Sequence, residues 1–404
     1  MDPEQTMLAF IADREGSLLQ FARDLVATPS PTPPGDERAV VGRIQQELDT
    51  LGLGKAQIIA LKPERPNLLL RLKGSRPGLT LIFNGHLDTK PHGNLEEWEF
   101  APLNPVIRDG RLHGLGSSDM KSGLAAMVYA AAAVMEVRDS MPGELQLMFT
   151  ADEEGGSKFG AEFLSVNGHV RGDAALISES AGVHKELEFI ALDSRGSFPF
   201  RVRVYGDQMH CSLSDEFKAV NASVKAAELL WRFAQEYKRP GVTVNAGVVL
   251  QGGVFFGVVP GLAEFGCDVR VPPGWTQQKF RAEIEAWLDG HRRRDAELRA
   301  EIVWESWGVL PTQFPRDHPL ATSLQKACAK VLPRVPPVTC YPAGTDAPWF
   351  IAAGVPTIPA FGPGLLPLAH SPREWVEIPS IFACARIYAL TAHRYLSGEQ
   401  SQHS

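Results

Sequence analysis

Short apolar runs that alternate with helical patterns constrain the fold of this chain more than any other feature of its sequence. Four runs are apolar at successive positions, as strands are when both faces of a sheet are covered: Pro66–Leu72, Leu79–Asn84, Glu144–Thr150 and Asp173–Ser178. A helical pattern of small residues, SGLAAMVYAAAAVMEV, lies between the second run and the third. This alternation predicts an α/β fold, with a mixed sheet flanked by helices.

The pattern changes near Ser197, where alternating polar and apolar residues predict half-exposed strands. The strand and helix patterns of this region are Phe198–Tyr205, Asn221–Tyr237, Thr243–Leu250, Leu262–Val271 and Gln277–His291. A chain of 404 residues is long enough for two domains. We therefore predict an inserted α+β domain at residues 197–305, with two helices on an antiparallel sheet. Residues 1–196 and 306–404 would form one discontinuous catalytic domain.

Charge and composition indicate which classes of binding partner and which cellular compartment the protein suits. A formal charge of −7 argues against general affinity for nucleic acid or anionic lipid. The five cysteines are scattered without C-x-x-C spacing, which favours reduced thiols over a disulfide framework. The first residues lack the pattern of a signal peptide, and no apolar stretch approaches the ~20 residues that span a bilayer. We therefore expect a cytoplasmic protein that acts on a small molecule.

Five positions that end an apolar run or begin a loop carry potential metal ligands: His86, Asp119, Glu154, Glu179 and His370. The carboxyl ends of strands in an open α/β sheet line one crevice, so several of these side chains should converge. Two imidazoles and three carboxylates suit a pair of divalent ions. Each position has a structural alternative, since a single histidine after a strand is commonly structural and Asp119 could cap a helix. The adjacent Glu153 and Glu154 are harder to explain without a cation, because their charges repel.

In this order and spacing, the segments resemble the di-zinc aminoacylase/carboxypeptidase family. That family includes acetylornithine deacetylase, succinyl-diaminopimelate desuccinylase and the glutamate-releasing carboxypeptidases. The similarity runs from the turn at residues 25–30, through Trp98, Pro102 and residues 109–116, to the loop at residues 361–364. The resemblance implies a phosphorylase/hydrolase-like catalytic domain that binds two divalent metal ions. Zinc is the favoured metal, with manganese and cobalt as alternatives.

The resemblance also assigns roles within the catalytic domain. It implies that His86 and Glu179 bind one metal ion, that Glu154 and His370 bind the other, and that Asp119 bridges them. Glu153 would be the general base that takes a proton from a metal-bridging water, leaving hydroxide, and returns it to the leaving amine. Asp88 would hydrogen-bond the imidazole of His86. The peptide bond between Asp119 and Met120 would be cis.

In the inserted domain, the resemblance implies that His210 crosses the interface of a homodimer, or of a higher assembly of dimers, to polarise the scissile carbonyl. Arg270 would anchor a substrate carboxylate, and Asn221 is a further candidate substrate contact. The loop of Gly344, Thr345 and Asp346 would line the substrate pocket. The alternatives are a surface histidine at position 210, an ion pair of Arg270 with Asp268, and a helix cap at Asp346.

The resemblance predicts hydrolysis of the amide bond of an N-acyl amino acid or a small dipeptide-like substrate with a free carboxylate. Gly257 stands where relatives have Asn, and the preceding Val254–Phe256 run is unusually apolar. An alternative is therefore a hydrolytic deaminase or amidohydrolase that acts on an aryl amine or another non-peptide C–N bond. A plain aminopeptidase would have no use for His210 or Arg270. A binding protein without turnover would be expected to lose Glu153 or a ligand.

Overall fold

The computed structural model of the protein describes residues 2–398. Residue 1 and residues 399–404, which belong to the predicted catalytic segments, lie outside the described residues. The chain divides into two compact units. The first unit contains the chain up to Asp193, Gln313–Tyr341 and the chain from Thr345 onward, and the inserted unit contains Ser194–Thr312 and Pro342–Gly344.

The α-helices of the described residues follow this order: α1 (Pro3–Ala12), α2 (Glu15–Ala27), α3 (Arg38–Thr50), α4 (Ser122–Glu136), α5 (Ala161–Val166), α6 (Ala222–Glu236), α7 (Gln277–Arg294), α8 (Pro319–Val331), α9 (Ala347–Ala352) and α10 (Ile378–Ser397). The strands of the first half of the chain are β1 (Gln57–Ala60), β2 (Pro66–Lys73), β3 (Arg76–His86), β4 (Val106–Arg108), β5 (Arg111–His113), β6 (Pro142–Thr150), β7 (Ala174–Ile177) and β8 (Ile190–Ser194). The later strands are β9 (Gly196–Tyr205), β10 (Thr243–Gly252), β11 (Leu262–Val271), β12 (Arg299–Trp304), β13 (Thr312–Gln313), β14 (Val338–Tyr341), β15 (Thr357–Ile358) and β16 (Trp375–Glu377).

The first unit is built on a six-stranded sheet of order β1-β2-β6-β3-β7-β15. Strand β3 is parallel to β6 and β7, β15 is parallel to β7, and β2 is antiparallel to β6 and β1. The fold therefore has the predicted α/β class with a mixed sheet. Strand β15, at one edge of this sheet, is only two residues long.

Helices cover both faces of this sheet, as its apolar runs require. On one face, α10 packs on α4 and α8, and the ring of Phe83 lies 5.5 Å from that of Tyr388. The small side chains of α4 are buried almost throughout, which lets neighbouring helices approach closely. On the other face, Ile82 and Met148 pack in one core cluster with Leu164 of α5 and Phe350 of α9.

The inserted unit contains a second sheet, of order β10-β11-β9-β12, in which all neighbours are antiparallel. Helices α6 and α7 contribute Phe233 and Phe280 to its core. The ring of Phe200, on β9, lies 5.4 Å from that of Phe233 and 5.9 Å from that of Phe280. Alternation along β9 explains this core, because every second side chain of that strand points to the same face.

Two three-stranded sheets complete the fold, of order β13-β8-β14 and β16-β5-β4. The second is antiparallel, with Trp375 of β16 opposite His113 of β5. All five cysteines are free thiols. Within residues 2–398, no helix combines the length and the apolar character that a membrane span needs.

Candidate metal centre

Three parallel strands bring candidate ligands to one edge of the main sheet. Strand β3 ends at His86, β6 ends at Thr150 shortly before Glu154, and β7 ends two residues before Glu179. Because β6 and β7 flank β3 in parallel, the carboxyl ends of all three strands lie side by side. The predicted convergence of these side chains therefore follows directly from the sheet topology.

The five predicted ligands form two triads that share one carboxylate. In the first triad, the Nε2 atom of His86 lies 2.9 Å from Oδ1 of Asp119 and 3.7 Å from Oε1 of Glu179. In the second, Nε2 of His370 lies 3.2 Å from Oδ2 of Asp119 and 2.9 Å from Oε1 of Glu154. Within each triad, the potential ligand atoms lie within 4.8 Å of one another. Asp119 thus directs one oxygen to each histidine, as a bridging ligand would.

The acids and histidines of the triads shift one another's pKa values. Burial opposes protonation of His370, but hydrogen bonds to Asp119 and Glu154 raise its pKa to about 10. Burial likewise opposes the charge on His86, yet Asp119 and Glu179 raise its pKa well above the usual value. Burial and the charge of Asp119 raise the pKa of Glu179 to about 8. The cluster therefore favours added positive charge.

The donor set fits two divalent cations. Asp119, Glu154, Glu179 and the neighbouring Glu153 supply more negative charge than two imidazoles can balance, and buried carboxylates without compensation are costly. Divalent cations would supply the balance. Mixed imidazole nitrogen and carboxylate oxygen suits borderline ions such as zinc, manganese and cobalt.

Glu153 begins a short helical turn directly after Asp152. Burial raises the pKa of the Glu153 carboxyl well above its usual value; the charge of His86 opposes this shift and that of Glu179 adds to it. A carboxylate with a raised pKa is a better proton acceptor. The chemistry of a general base is therefore available at this position.

Asp88 contacts His86 in a way that differs from the expected side-chain hydrogen bond. The Nδ1 atom of His86 lies 2.9 Å from the backbone oxygen of Asp88 and 3.6 Å from its Oδ1. The Asp88 carboxylate accepts hydrogen bonds from the backbone N–H groups of Glu153, at 3.1 Å, and Glu154, at 3.3 Å. Asp88 therefore links the first histidine to the turn that carries the candidate base.

Arg65 supports the same turn, and the sequence interpretation did not include it. Its guanidinium lies 2.7 Å from Glu37, 3.0 Å from Asp152 and 4.0 Å from Asp88, and all four side chains are buried. Asp152 has a φ of 65°, a conformation that non-glycine residues seldom adopt. The ion pair with Arg65 holds Asp152 in that conformation, immediately before Glu153. The only sequence signal was an arginine placed directly before a buried strand.

Glu374 and Lys90 are two further residues that the sequence interpretation missed. The Glu374 carboxylate accepts hydrogen bonds from the backbone N–H groups of Gly116, Ser118 and Asp119, at 2.8 to 3.0 Å. The Lys90 ammonium lies 3.3 Å from the Glu154 carboxylate. The Asp119–Met120 peptide bond is cis, as the resemblance implied. Glu374 follows His370 in the same loop, a proximity that could have singled it out.

The predicted loop at residues 344–346 spans the two units. Gly344 lies in the inserted unit, whereas Thr345 and Asp346 are buried in the first unit. The Asp346 side chain makes no cap hydrogen bond to α9. Its carboxylate instead accepts hydrogen bonds from the hydroxyls of Thr150, at 2.8 Å, and Ser157, at 2.5 Å. The Asp346 side chain therefore binds two hydroxyl groups and does not cap α9.

The remaining candidates, His210, Arg270 and Asn221, lie in the inserted unit, and each makes a hydrogen bond to a residue near it in the chain. The exposed His210 accepts a hydrogen bond at Nδ1 from the backbone N–H of Ser212, at 3.2 Å. Arg270 donates to Asp268 at 2.9 Å, which is the contact that its structural alternative predicted. Asn221 caps α6. Within this unit the three side chains make no common cluster.

Comparison with known proteins identifies the family. The profile of peptidase family M20/M25/M40 matches residues 82–394. The chain belongs to this family. A succinyl-diaminopimelate desuccinylase from Nitrosomonas europaea is 30% identical over 94% of this chain and 99% of its own length. An N-formyl-4-amino-5-aminomethyl-2-methylpyrimidine deformylase from Bacillus subtilis is 26% identical over 93% of this chain and 94% of its own length.

A solved structure shows the same fold. The Bacillus subtilis YXEP protein, described as a dinuclear metal binding peptidase of this family, superposes with a TM-score of 0.66. It is 17% identical and covers 96% of this chain and 99% of its own. With the family established, the protein is an enzyme, a hydrolase of the metallopeptidase and deacylase type that cleaves amide bonds.

Proposed function

We propose that this enzyme hydrolyses the amide bond of an N-acyl amino acid or a small dipeptide-like compound that bears a free carboxylate. Two divalent cations, zinc by preference, would be held by His86 and Glu179 on one side and by Glu154 and His370 on the other. The observation that carries the proposal is the position of Asp119, which contacts both histidines with different oxygens.

The residues of the chain have separate tasks in this reaction. When bound, the cations would supply Lewis-acid polarisation of the scissile carbonyl and lower the pKa of water. Glu153 would accept the proton of the attacking water and deliver it to the leaving nitrogen. Asp88 would hold the backbone of Glu153 in place, because its carboxylate binds that residue's N–H.

We assign the first unit, predicted at residues 1–196 and 306–404, to the catalytic domain, and the inserted unit, predicted at residues 197–305 and found at Ser194–Thr312 with Pro342–Gly344, to a lid and dimerisation domain. Strand β10 is an edge strand, and its Val248 and Leu250 side chains are 51% and 64% exposed. The loop after it exposes Phe255 and Phe256 by 78% and 93%. An exposed apolar edge strand favours pairing with another chain, which supports a homodimer through this unit.

Substrate contacts are assigned to Arg270, for the carboxylate, and to His210, for the scissile carbonyl. We assign Asn221, Gly344, Thr345 and Asp346 to the rest of the substrate pocket. The guanidinium of Arg270 is a suitable donor because it binds carboxylates in a planar, two-point geometry. Its ion pair with Asp268 would hold its side chain in a defined orientation.

A second candidate function is hydrolysis of a non-peptide C–N bond on an aromatic amine. The exposed Phe255–Phe256 pair and the absence of a side chain at Gly257 favour this candidate. The Bacillus subtilis relative is named for the removal of a formyl group from an aminomethylpyrimidine, a small aromatic compound.

A substrate panel with one variant tests both candidates. Purified enzyme would be loaded with zinc and offered N-acyl amino acids, dipeptides, N-formyl aryl-methylamines and aryl amines, with release of carboxylate and ammonia measured. The first proposal predicts that a carboxylic acid is released only from amides with a free carboxylate. Ammonia from aryl amines, or formate from substrates without a carboxylate, would favour the second.

The Glu153→Gln variant tests the assignment of the base. We expect metal content, measured by elemental analysis, to stay near that of the wild type while turnover falls by about 100-fold or more. Glu136→Gln, at an exposed position near the end of α4, is the matched control and should leave turnover unchanged. Near-normal turnover of a fully metallated Glu153→Gln enzyme would show that another group is the base.

A further inference from the structure

One cavity of the first unit shares no residue with the two ligand triads. It has a volume of about 330 Å³ and lies beside the β16-β5-β4 sheet. Its walls include the aromatic side chains of Trp98, Phe100 and Trp375. This volume falls in the range of pockets that hold small organic ligands.

Two arginines of this cavity, Arg111 and Arg373, make no ion pair among residues 2–398. Within residues 2–398, neither the Arg111 nor the Arg373 side chain takes part in an ion pair or hydrogen bond. The third arginine of the cavity, Arg108, is paired with Glu99 at 2.7 Å. Glu374 also lines the cavity, but its buried carboxylate accepts from three backbone N–H groups and, within the described residues, makes no ion pair with Arg373.

Arg111 is held in a defined position. Its guanidinium carbon lies 3.8 Å from the ring centroid of Trp375, a distance typical of a cation–π contact. Register explains the contact, since Trp375 is opposite His113 and therefore diagonal to Arg111 on the same face of the sheet. The edge of the guanidinium, with its N–H donors, remains available because no acceptor in the described part of the chain binds it.

The remaining walls favour a flat ring. His113 packs against Phe100 with ring centroids 5.1 Å apart, so the aromatic surface of the cavity is continuous from the β5 strand to Phe100. Trp98, Phe100 and Trp375 are each half-buried, which leaves part of each ring exposed to a ligand. Aromatic surfaces of this kind select planar ligands through offset or edge-to-face contacts.

We propose that the cavity bounded by Arg111, Arg373, Trp98, Phe100 and Trp375 is a binding site for a small aromatic carboxylate, separate from the metal centre. The two unpaired guanidinium groups would bind the carboxylate, and the aromatic walls would hold the ring. A carboxylate without an aromatic ring would bind the guanidinium groups but would not contact the aromatic walls. An uncharged aromatic compound would leave both arginines unpaired.

The test is calorimetric titration of the full-length, metal-loaded enzyme with benzoate, benzamide and cyclohexanecarboxylate. We expect saturable binding of benzoate. Benzamide and cyclohexanecarboxylate should each bind at least about tenfold more weakly than benzoate. The variants Arg111→Gln and Arg373→Gln should each weaken benzoate binding by about tenfold. Arg334→Gln, at an exposed position elsewhere in the first unit, is the control and should change nothing.

The same titration separates this cavity from the proposed substrate site. Arg270→Gln removes the arginine assigned to the substrate carboxylate, and it should leave benzoate affinity unchanged. Phe100→Leu and Trp375→Leu test the aromatic walls in two independent positions, with thermal melting to establish that each variant is folded. Absence of saturable benzoate binding, or binding lost in Arg270→Gln but kept in Arg111→Gln, would overturn the proposal.

Discussion

The candidate residues of the two units differ in burial and in the number of charged groups that they contact. In the first unit, His86, Asp88 and Asp119 are 2%, 0% and 9% exposed, and each contacts several other charged groups. In the inserted unit, His210 is exposed and Arg270 pairs only with its neighbour on the strand, Asp268. A metal site needs ligands fixed by surrounding contacts, whereas a side chain that meets a substrate must keep donors available.

Charge distribution sharpens this difference. The first unit buries acids in a dense network around Arg65 and the ligand triads. In the inserted unit, Arg201 and Arg203 bind the buried Glu264, but both arginine side chains are more than a third exposed. Substitutions should therefore cost stability mainly in the first unit and affinity for substrate mainly in the inserted unit.

The largest effect is expected for Asp119→Asn. Because Asp119 belongs to both triads, its replacement should reduce the content of both metal ions, whereas Glu179→Gln should reduce one. We expect turnover to fall by more than about 100-fold. Replacing a residue that only hydrogen-bonds a metal ligand costs at most about that much activity, and loss of a ligand should cost more. Elemental analysis and kcat measure the two effects.

Asp139→Asn, at an exposed position after α4, is the control for this experiment and should retain both metals and full turnover. If Asp119→Asn keeps one ion per chain while Glu179→Gln loses both, the carboxylate shared between the sites is not Asp119. The chemistry of the centre would then have to be reassigned.

The convergence of the candidate ligands could be predicted because it depends on signals that are local in the sequence. Each of β3, β6 and β7 is an apolar run that ends near a histidine or an acid, and the rule for parallel strands places those ends together. The cluster of Arg65, Glu37 and Asp152 could not be predicted in this way. Its members lie 28 and 87 residues from Arg65 in the chain, and no periodic pattern links them.

Parts of the fold were missed for a similar reason. Helix α10 is buried on most of its surface, so its sequence lacks the polar stripe that identifies an amphipathic helix. The short strands β8 and β12 were also missed, since a few residues give too little pattern. The role of Asp88 was predicted only in part, because the sequence could not show that its carboxylate binds two backbone N–H groups.

The next largest effect is expected for Arg65→Met. Removing one partner of a buried ion-pair network leaves Glu37 and Asp152 uncompensated, which costs about 3–5 kcal/mol. The free energy of unfolding from urea titration measures this cost. Arg108→Met, which breaks the exposed pair with Glu99, is the control and should cost less than about 1 kcal/mol. Equal effects of the two variants would contradict the contrast between buried and exposed charge.

A smaller effect, visible in the dependence of stability on pH, is expected at Glu186. Burial raises the pKa of this carboxyl to about 7, although it accepts hydrogen bonds from Ser380 and from the backbone of Glu377 and Gly364. The folded state therefore binds the proton more tightly than the unfolded state, in which the carboxyl has its ordinary pKa near 4.5. The stabilisation is fully present below pH 4.5 and is lost as pH rises through about 7.

Glu186→Gln tests this contribution, because an amide does not titrate. The variant should show a flatter dependence of the urea midpoint on pH between 4.5 and 7 than the wild type. Glu136→Gln, at an exposed position, should keep the wild-type dependence. A Glu186→Gln profile parallel to that of the wild type would assign the pH dependence to other groups.

The smallest effect on stability is expected for Arg270→Gln, and it tests the inserted unit directly. The Arg270 side chain is 36% exposed and its ion pair with Asp268 should contribute less than about 1 kcal/mol. Asp268 also keeps its hydrogen bond from the Ser197 hydroxyl, at 2.8 Å, so no carboxylate is left unpaired. If Arg270 anchors a substrate carboxylate, KM should rise by about tenfold while kcat changes little.

Substrate amides that replace the free carboxylate provide the matched comparison. On those compounds, wild type and Arg270→Gln should have similar KM values, because the guanidinium has no carboxylate to bind. If the Arg270→Gln variant has the same KM as the wild type for carboxylate substrates, Arg270 does not bind the substrate carboxylate. Its role is then the ion pair with Asp268 on the strand. The difference between the units would then lie in stability alone, and the group that binds the substrate carboxylate would have to be sought among other side chains.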